Sequence, residues 1–463
     1  MMRRGFAYIL VALIICALPL AAHAAAPAIH RLESGPLPEV RPPKVRVVDL
    51  PSGTRCYLLA DRTLPIVKIG AFVRTGSIYD PAGEVGLAAL TALHMRIGGA
   101  GHRPPDEFDA ALDDLGAELS ISMKREMAAL SLGVLSEDLP EGLALMFDMI
   151  FTPRFAESRL KTARKNVEES IIRGDDDPDE QAAYRFRQLV YGKDSPWARR
   201  PDKRSIRRID VDDIRLFHEN YFKANNIIIT AAGDFKYDEL IARLTELLSA
   251  APKGDVKFPA VEPVELEFER RREDVIRPTS QAFIRMGHLS IKRHNPDKFA
   301  LFLVDAILGG QAFKSRLMED IRVRRGMAYS VYSAILPDTD YGLFVVGLGT
   351  SAAQADEAID LARGHIRRMV DGDITADELA FAKRSIISRL VFLFDSPSKV
   401  VSNGARFYFY GYPDDYWRIY RKSIIAAKIG DLKRVAKEYL HPDELEIVVV
   451  GPRTKPAGKG RKR

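Results

Sequence analysis

The sequence contains little cysteine. Only two cysteines, Cys16 and Cys56, occur among its 463 residues, and Cys16 lies in an N-terminal apolar run. If that run is removed, as predicted below, no intramolecular disulfide is possible, unlike in small secreted domains that depend on such bonds. The chain is long enough to be stabilised by hydrophobic cores instead, and its length indicates about two or three domains.

Long apolar runs are also scarce. The longest covers residues 6–20, follows two arginines and precedes the small-residue pattern Ala22-His23-Ala24. This arrangement predicts a secretory signal, residues 1–24, that is cleaved after Ala24. A retained membrane anchor is the alternative, which the proline and the alanines at the end of the run disfavour. We therefore expect an exported, periplasmic protein without a stable membrane span after cleavage; an extracellular location stays open.

Positive charge is concentrated at the two ends of the chain. The formal net charge is +6, and six basic residues lie in the C-terminal tail, residues 453–463. Without this tail and the two N-terminal arginines, the chain has a small net negative charge. It therefore lacks the basic surface that nucleic-acid binding requires, and no nucleic-acid partner is expected. The tail itself is interpreted as a solvated end.

The two halves of the chain repeat the same order of patterns. The segment from Pro178 to Gly192 matches the segment from Pro397 to Gly411, with the same offset of 219 residues at the proline and at the glycine. A second matched pair of landmarks is the β-rich runs at residues 227–233 and 445–451. The repeat indicates that one ancestral unit has been duplicated.

Each half has strand patterns and several long helical patterns. The sequence therefore predicts an α+β fold of two homologous halves, each a mainly antiparallel sheet packed with helices. The predicted boundaries are residues 43–250 for the first domain and residues 279–452 for the second. Residues 251–278 contain several prolines and many charges without helical periodicity, and they are predicted to form an extended linker.

Several short motifs in the two halves occur in a fixed order. In chain order they are Gly76-Ser77, Asp80-Pro81, Gly86-Leu87-Ala88, Asp176-Asp177-Pro178, Ser315-Arg316-Leu317, and Arg322 followed by Gly326-Met327-Ala328-Tyr329. With these motifs and its duplicated units, the sequence resembles the pitrilysin/insulinase-type zinc peptidases. The resemblance covers nearly the whole chain after the signal. It implies two halves that face each other like a clamshell around a peptide chamber.

The zinc-binding motif of that family is missing. Active members carry H-x-x-E-H on a helix, which places two histidines on one face with a glutamate that activates water. After Gly86-Leu87-Ala88, the three matching positions are Ala89, Ala92 and Leu93, and the position of the third ligand is Ser170. All four are small or apolar residues, so no metal is expected in this chain.

Neighbouring residues allow two shifted alignments. Glu168 and Glu169 lie close to Ser170, so a shift of one residue restores one carboxylate, which alone does not hold Zn²⁺. His94 lies one residue beyond the second-histidine position, but shifting the motif by one places leucines at its other positions. His94 is therefore interpreted as an ordinary helix histidine.

Two functional positions are retained in the second half. The resemblance implies that Arg322 and Tyr329 bind peptide and donate hydrogen bonds to the oxyanion that forms during hydrolysis. Gly326 is predicted to end the helix of Arg322 and turn the chain into the strand of Tyr329. The alternative is a solvated basic cluster of Arg322, Arg324 and Arg325 beside a half-buried strand tyrosine.

Two-chain members of that family divide the work, one subunit carrying the zinc and the other the arginine and tyrosine, and this chain resembles the second kind. The resemblance therefore implies a non-catalytic subunit of a heterodimeric, exported zinc peptidase. Its partners would be a zinc-binding paralogous subunit, which holds the Zn²⁺, and a peptide or unfolded polypeptide substrate. The alternative is a homo-oligomeric scaffold or peptide-binding protein without hydrolysis. An independent enzyme finds no support, since the sequence contains no nucleophile motif, phosphate-binding loop or metal cluster.

Overall fold

The computed structural model describes residue 39, residues 41–311 and residues 314–452. The predicted signal, residues 1–24, and the basic tail, residues 453–463, lie outside these described residues. Within the part of the chain that the structure describes, none of the helices is both long and apolar enough to span a membrane.

The first half consists of a sheet and eight α-helices within the described residues. Its strands are β1 (Arg46–Asp49), β2 (Arg55–Ala60), β3 (Ile66–Arg74), β4 (Glu118–Met123), β5 (Met127–Leu135) and β6 (Ile227–Gly233). Its helices are α1 (Leu87–Ile97), α2 (Pro105–Asp114), α3 (Leu139–Phe151), α4 (Glu157–Asp176), α5 (Pro178–Tyr191), α6 (Lys203–Arg208), α7 (Val211–Tyr221) and α8 (Tyr237–Ser249). Several of these helices cover one face of the sheet and enclose an apolar core with it.

The second half has a similar composition. Its strands are β7 (Arg272–Ile276), β8 (Ala282–Leu289), β9 (Ala328–Leu336), β10 (Leu343–Thr350) and β11 (Glu446–Gly451). Its helices are α9 (Lys298–Leu308), a π-helix (Met318–Arg324), α10 (Ala355–Val370), α11 (Ala376–Arg389), α12 (Pro397–Phe409), α13 (Tyr416–Ala426) and α14 (Ile429–Tyr439).

The two sheets have corresponding strand orders. The order is β1-β2-β6-β3-β5-β4 in the first sheet and β7-β11-β8-β10-β9 in the second. Each sheet contains one parallel pair at the same place, β2 with β6 and β7 with β11, and its other neighbouring strands are antiparallel. The predicted α+β fold of two homologous halves is therefore confirmed, and β1 is an additional edge strand of the first half.

The predicted linker contains a strand. Residues 251–278 were expected to be extended throughout, but Arg272–Ile276 forms β7, which pairs in parallel with β11. β7 is the counterpart of β2 and so belongs to the second half. Its charged sequence has a physical reason, because an edge strand keeps one edge and part of its surface in water. The rest of the predicted linker, residues 251–271 and 277–278, is free of helices and strands.

A helix of the second half covers the remaining face of the first sheet. Val400, Val401, Ala405 and Phe409 of α12 are buried against an apolar surface of strands in the first half. The strand residues of this surface are Tyr57, Leu59, Phe72, Met127, Ile228 and Ala232. Burying each large apolar side chain contributes about 1.5–3 kcal/mol, so α12 fastens the halves together.

The first half covers the second sheet in the same way. Ala182, Phe186 and Val190 of α5 are buried against apolar residues of the second sheet. The strand residues are Leu289, Leu343, Val345, Val448 and Val450. Because α5 and α12 are the helices that begin at the matched prolines, the two halves exchange equivalent helices. Each sheet thus has one face covered by a helix of the opposite half.

Polar contacts also join the halves. The Arg285 guanidinium, which is 7% exposed, lies 2.8 Å from each carboxylate oxygen of Asp179 at the start of α5. Tyr57 donates a hydrogen bond of 2.7 Å to Asp414. Because Arg285 and Tyr57 are buried, breaking either contact leaves a buried polar group without this partner, which makes the relative position of the halves specific.

We predict that the halves stay associated after the linker is cut. With a protease site inserted after Gly254, which is exposed and in a turn, the two fragments should co-elute in size-exclusion chromatography, since the helix exchange persists.

We also predict that Phe409→Ala, which removes a buried side chain of the exchanged helix α12, lowers the free energy of unfolding by about 3–5 kcal/mol. The exposed control Lys399→Ala on the same helix should change it by less than about 0.5 kcal/mol. Separate elution of the cut fragments at neutral pH would contradict the exchange.

Candidate functional site

Helix α1, which carries three of the four zinc-site positions, has a well-defined start. Its first amides are bound by Asp80, whose side chain is buried: Gly86 N–H donates to Oδ2 at 2.7 Å and Ala88 N–H donates to Oδ1 at 2.8 Å. Burial raises the pKa of Asp80 to about 7, and the two backbone hydrogen bonds oppose this shift. Gly86 itself has φ of 107°, a conformation that favours glycine. The Asp80-Pro81 and Gly86 motifs thus position α1.

The zinc-site positions themselves carry no metal-binding chemistry. Ala89, Ala92 and Leu93 lie on successive turns of α1; Ala92 is buried, and Leu93 packs against the core of the first half. Ser170 lies exposed on α4, which packs against α1. Methyl groups and an aliphatic side chain cannot donate an electron pair to Zn²⁺, and one hydroxyl does not replace a carboxylate. The residues present therefore do not fit a zinc ion.

The carboxylates beside Ser170 are engaged in ion pairs. Arg207 Nε donates to Glu168 Oε1 at 3.1 Å, and Glu169 lies within 4 Å of both Lys165 and Arg173. Throughout residues 41–311 and 314–452, no three His, Cys, Asp or Glu side chains assemble into a group that could hold a metal ion. A shifted alignment therefore finds no ligand set here.

His94 is a core histidine. It is fully buried on α1, its Nε2 hydrogen-bonds to the carbonyl oxygen of Ala156 at 3.0 Å, and its ring centroid lies 5.5 Å from that of Phe155. Burial lowers its pKa, so the ring is neutral near pH 7, and the bond to the carbonyl requires the proton on Nε2. Its role is to connect α1 to the segment before α4.

Other motifs of the resemblance also have structural roles. Asp177 caps α5 by accepting hydrogen bonds from the backbone of Asp179 and Glu180. Arg316 donates from Nε and Nη2 to the two carboxylate oxygens of Glu378 at 2.7 and 2.8 Å, which ties the π-helix region to α11. These positions maintain the scaffold and do not form a reaction site.

Arg322 lies on the π-helix, a local widening that is frequent at functional sites. The helix is anchored by Asp320, which accepts a hydrogen bond of 2.7 Å from His365 Nε2 and one of 3.1 Å from Arg325 Nε. The helix ends at Arg324, and Gly326 turns the chain with φ of 62°. The predicted helix-ending role of Gly326 is confirmed, and β9 begins at Ala328, one residue before Tyr329.

The structure brings Arg322 and Tyr329 together at the surface. The Arg322 guanidinium carbon lies 5.5 Å from the centroid of the Tyr329 ring, and Arg322 Nη1 lies 3.7 Å from Met318 Sδ. Tyr329 is 80% exposed, so it is not the half-buried tyrosine of the alternative interpretation. Arg325 is directed to Asp320 instead. A guanidinium and a phenol are thus presented side by side, on the opposite half of the chain from α1.

The sequence analysis missed the residues that hold this pair in place. His365 and Asp320 are 45 residues apart and belong to different helices. A lone histidine on an amphipathic helix gives no signal of its partner, so the bond becomes visible only when α10 packs beside the π-helix.

Two family models match the chain. The model described as Insulinase (Peptidase family M16) matches residues 56–190, and the model described as Peptidase M16 inactive domain matches residues 208–386. The first matched segment lies in the first half of the repeat, and the second begins near the end of that half and continues through much of the second half. The similarity therefore extends over both halves.

Curated relatives and solved structures agree with these models. The chain is 26% identical over 73% of its length to an uncharacterized zinc protease of Streptomyces coelicolor, covering 74% of that protein. It is 23% identical over 85% of its length to the non-peptidase homolog YmxG of Helicobacter pylori, covering 90% of it. The crystal structure of a peptidase M16 inactive domain from Pseudomonas fluorescens superposes with a TM-score of 0.81 and 24% identity, covering 89% of this chain and 98% of that chain.

We predict that the purified chain retains no stoichiometric zinc after dialysis, because α1 and α4 supply no ligands. Substituting Ala89→His, Leu93→His and Ser170→Glu together should create a site for about one Zn²⁺ per chain, since these residues sit on packed helices. The same variant without Ser170→Glu should bind more weakly. Elemental analysis measures both, and about one tightly bound Zn²⁺ in the unmodified chain would contradict the prediction.

We also predict that Asp80 stabilises the fold. Asp80→Ala leaves two buried amides of α1 without acceptors and should lower the free energy of unfolding by about 1–3 kcal/mol. Asp114→Ala at an exposed helix end should change it by less than about 0.5 kcal/mol. Urea denaturation measures the difference, and equal midpoints for the two variants would rule out the capping role.

Proposed function

Since the chain belongs to the insulinase (M16) peptidase family and has lost its H-x-x-E-H motif, we propose that it is the non-catalytic subunit of a heterodimeric zinc peptidase. One observation carries the proposal. All four zinc-site positions are small or apolar, whereas the guanidinium carbon of the half-buried Arg322, in the other half, lies 5.5 Å from the ring centroid of Tyr329, which is 80% exposed. A chain that only preserved the fold would have no need of an arginine and an exposed tyrosine in this arrangement.

The proposed role of the pair follows from its chemistry. A guanidinium and a phenolic hydroxyl both donate hydrogen bonds, and both stabilise negative charge that develops on a peptide carbonyl oxygen. The π-helix, fixed by Asp320 and His365, determines where Arg322 lies, and β9 determines where Tyr329 lies. Held in this way, the two donors need little reorganisation when the transition state forms.

The substrate chamber in this proposal lies between this chain and its partner. α5 and α12 cover sheet faces of the opposite halves, whereas Tyr329 is 80% exposed and Arg322 beside it is half-buried. In the proposal, a second subunit completes the site at this surface. The partner would be a paralogue with an intact H-x-x-E-H motif and would hold the Zn²⁺, and the substrate would be a peptide or an unfolded polypeptide.

We also propose that the heterodimer works outside the cytoplasm, in the periplasm. This part rests on the apolar run and the Ala22-His23-Ala24 pattern of residues 1–24. Fractionation of cells that express the chain tests it: the protein should appear in the periplasmic fraction without its first 24 residues.

A homo-oligomeric scaffold or peptide-binding protein is the second candidate. The relative named non-peptidase homolog favours it, since that name assigns no hydrolysis. A neighbouring reading frame that encodes a relative with intact H-x-x-E-H supports the heterodimer. Co-purification of the native protein identifies the partner directly.

We predict that Arg322→Ala or Tyr329→Phe lowers the peptidase turnover of the reconstituted heterodimer by about 100-fold to 1,000-fold, the usual effect of losing one oxyanion donor. Tyr329→Phe removes only a hydroxyl and keeps the packing. Arg324→Ala is the matched control, because Arg324 is a neighbouring exposed arginine, and it should leave turnover within about threefold.

Folding and association must be unchanged for this test, which circular dichroism and size-exclusion chromatography verify. If the heterodimer that carries both substitutions cleaves peptide at the wild-type rate, the donor role is excluded and the chain is better described as a scaffold.

A further inference from the structure

A cavity of about 430 Å³ lies where the two halves meet, beyond the end of α5. Its walls are formed by Val190, Tyr191 and the following loop, by several residues of the linker between 262 and 271, and by Leu289 and Glu446 of the second sheet. The cavity has the size of a small-ligand site. None of its lining residues belongs to the Arg322–Tyr329 pair or to the zinc-site positions.

Glu446, at the start of β11, places a buried carboxylate in the wall of this cavity. The residue is 3% exposed, and its Oε1 accepts a hydrogen bond of 2.9 Å from Arg271 Nη2. Its Oε2 is buried and has no hydrogen-bond partner among the described residues. Burial raises the pKa of Glu446 to about 7, and Arg271 opposes this shift. This oxygen is therefore available to accept a hydrogen bond from a donor in the cavity.

Arg271 does not complete the pairing of this carboxylate. Its Nη2 also donates to the carbonyl oxygen of Leu189 at 2.6 Å, near the end of α5, and its Nε lies 3.1 Å from Glu269. The guanidinium is thus divided among three acceptors. One positive charge serves two carboxylates, which leaves Glu446 open to a second cation.

The duplicated half shows that the fold does not need a carboxylate at this position. The equivalent of Glu446 is Ile228, 218 residues earlier, at the same place in the matching strand β6. Ile228 is buried beneath α12, as an apolar strand residue normally is. An apolar side chain therefore suffices for packing, and glutamate at residue 446 requires another reason.

The walls favour an organic cation over a metal ion. Carboxylates outnumber basic groups around the cavity; the acidic residues are Asp194, Glu262, Glu265, Glu267, Glu269 and Glu446, and the basic residues are Lys193 and Arg271. These carboxylates are spread out, and no three acidic, histidine or cysteine side chains come close enough in the described part of the chain to hold a metal ion. Tyr191, Val264 and Leu289 add apolar surface that suits the carbon chain of an amine.

We propose that this cavity binds an organic cation, an ammonium or guanidinium group on a short aliphatic chain, and that Glu446 Oε2 accepts its hydrogen bond. The cation has two sources, a free amine or a basic side chain of a peptide. The site is independent of the proposed peptidase partnership, so it can be tested on the isolated chain.

The experiment is isothermal titration calorimetry with three probes. The first is cadaverine, a free diamine; the second is a blocked tripeptide with arginine at its centre; the third is the same tripeptide with neutral citrulline. We expect one or both cationic probes to bind with Kd below about 1 mM and the citrulline peptide to bind at least about tenfold more weakly. Whichever cationic probe binds more tightly identifies the source.

Two variants of Glu446 test the assignment of the site. Glu446→Gln keeps the shape and Glu446→Ile introduces the residue of the duplicated half; both should weaken binding of the cation at least about tenfold. Glu219→Gln, at an exposed position of α7 outside the cavity, is the matched control and should change Kd by less than about threefold. The proposal is overturned if neither cationic probe binds the unmodified chain, if the citrulline peptide binds equally well, or if folded Glu446→Gln retains the wild-type affinity.

Discussion

The reciprocal exchange of α5 and α12 is the interaction on which the rest of the structure depends. Each sheet has one face buried by helices of its own half and the other by a helix of the opposite half. Without the exchange, each half would expose a broad apolar sheet face to water, which soluble domains avoid. The exchange also fixes how the halves lie relative to each other, and so where the Arg322–Tyr329 pair lies relative to α1.

The sequence predicted the duplication because both halves have a proline and a glycine at matching positions, Pro178 with Pro397 and Gly192 with Gly411. It did not predict the exchange. The apolar pattern of a helix indicates that Phe186 or Phe409 is buried, but it does not indicate which of the two sheets the side chain packs against. The strand β7 was assigned to the linker for a related reason. An edge strand has few apolar residues, and its assignment depends on the neighbour β11, which lies far along the chain.

The candidate site divides in the same way into predictable and unpredictable parts. The absence of zinc ligands at Ala89, Ala92 and Leu93 and the turn at Gly326 follow from residue types at fixed spacing, because chemistry and φ preferences are local. The Asp320–His365 bond and the orphan oxygen of Glu446 depend on packing between distant segments. Glu446 still had one signal in the sequence, a carboxylate at the place where the repeat has Ile228.

α1 keeps its helical start and its packing but has no zinc ligands at Ala89, Ala92 and Leu93. We propose that Arg322 and Tyr329 on the second half serve a site on another chain. Native mass spectrometry of the complex purified from its own cells tests this claim most directly. The account predicts a one-to-one complex of this chain with a paralogue that carries H-x-x-E-H, containing one Zn²⁺ per pair. A complex made only of copies of this chain, without zinc, would contradict it.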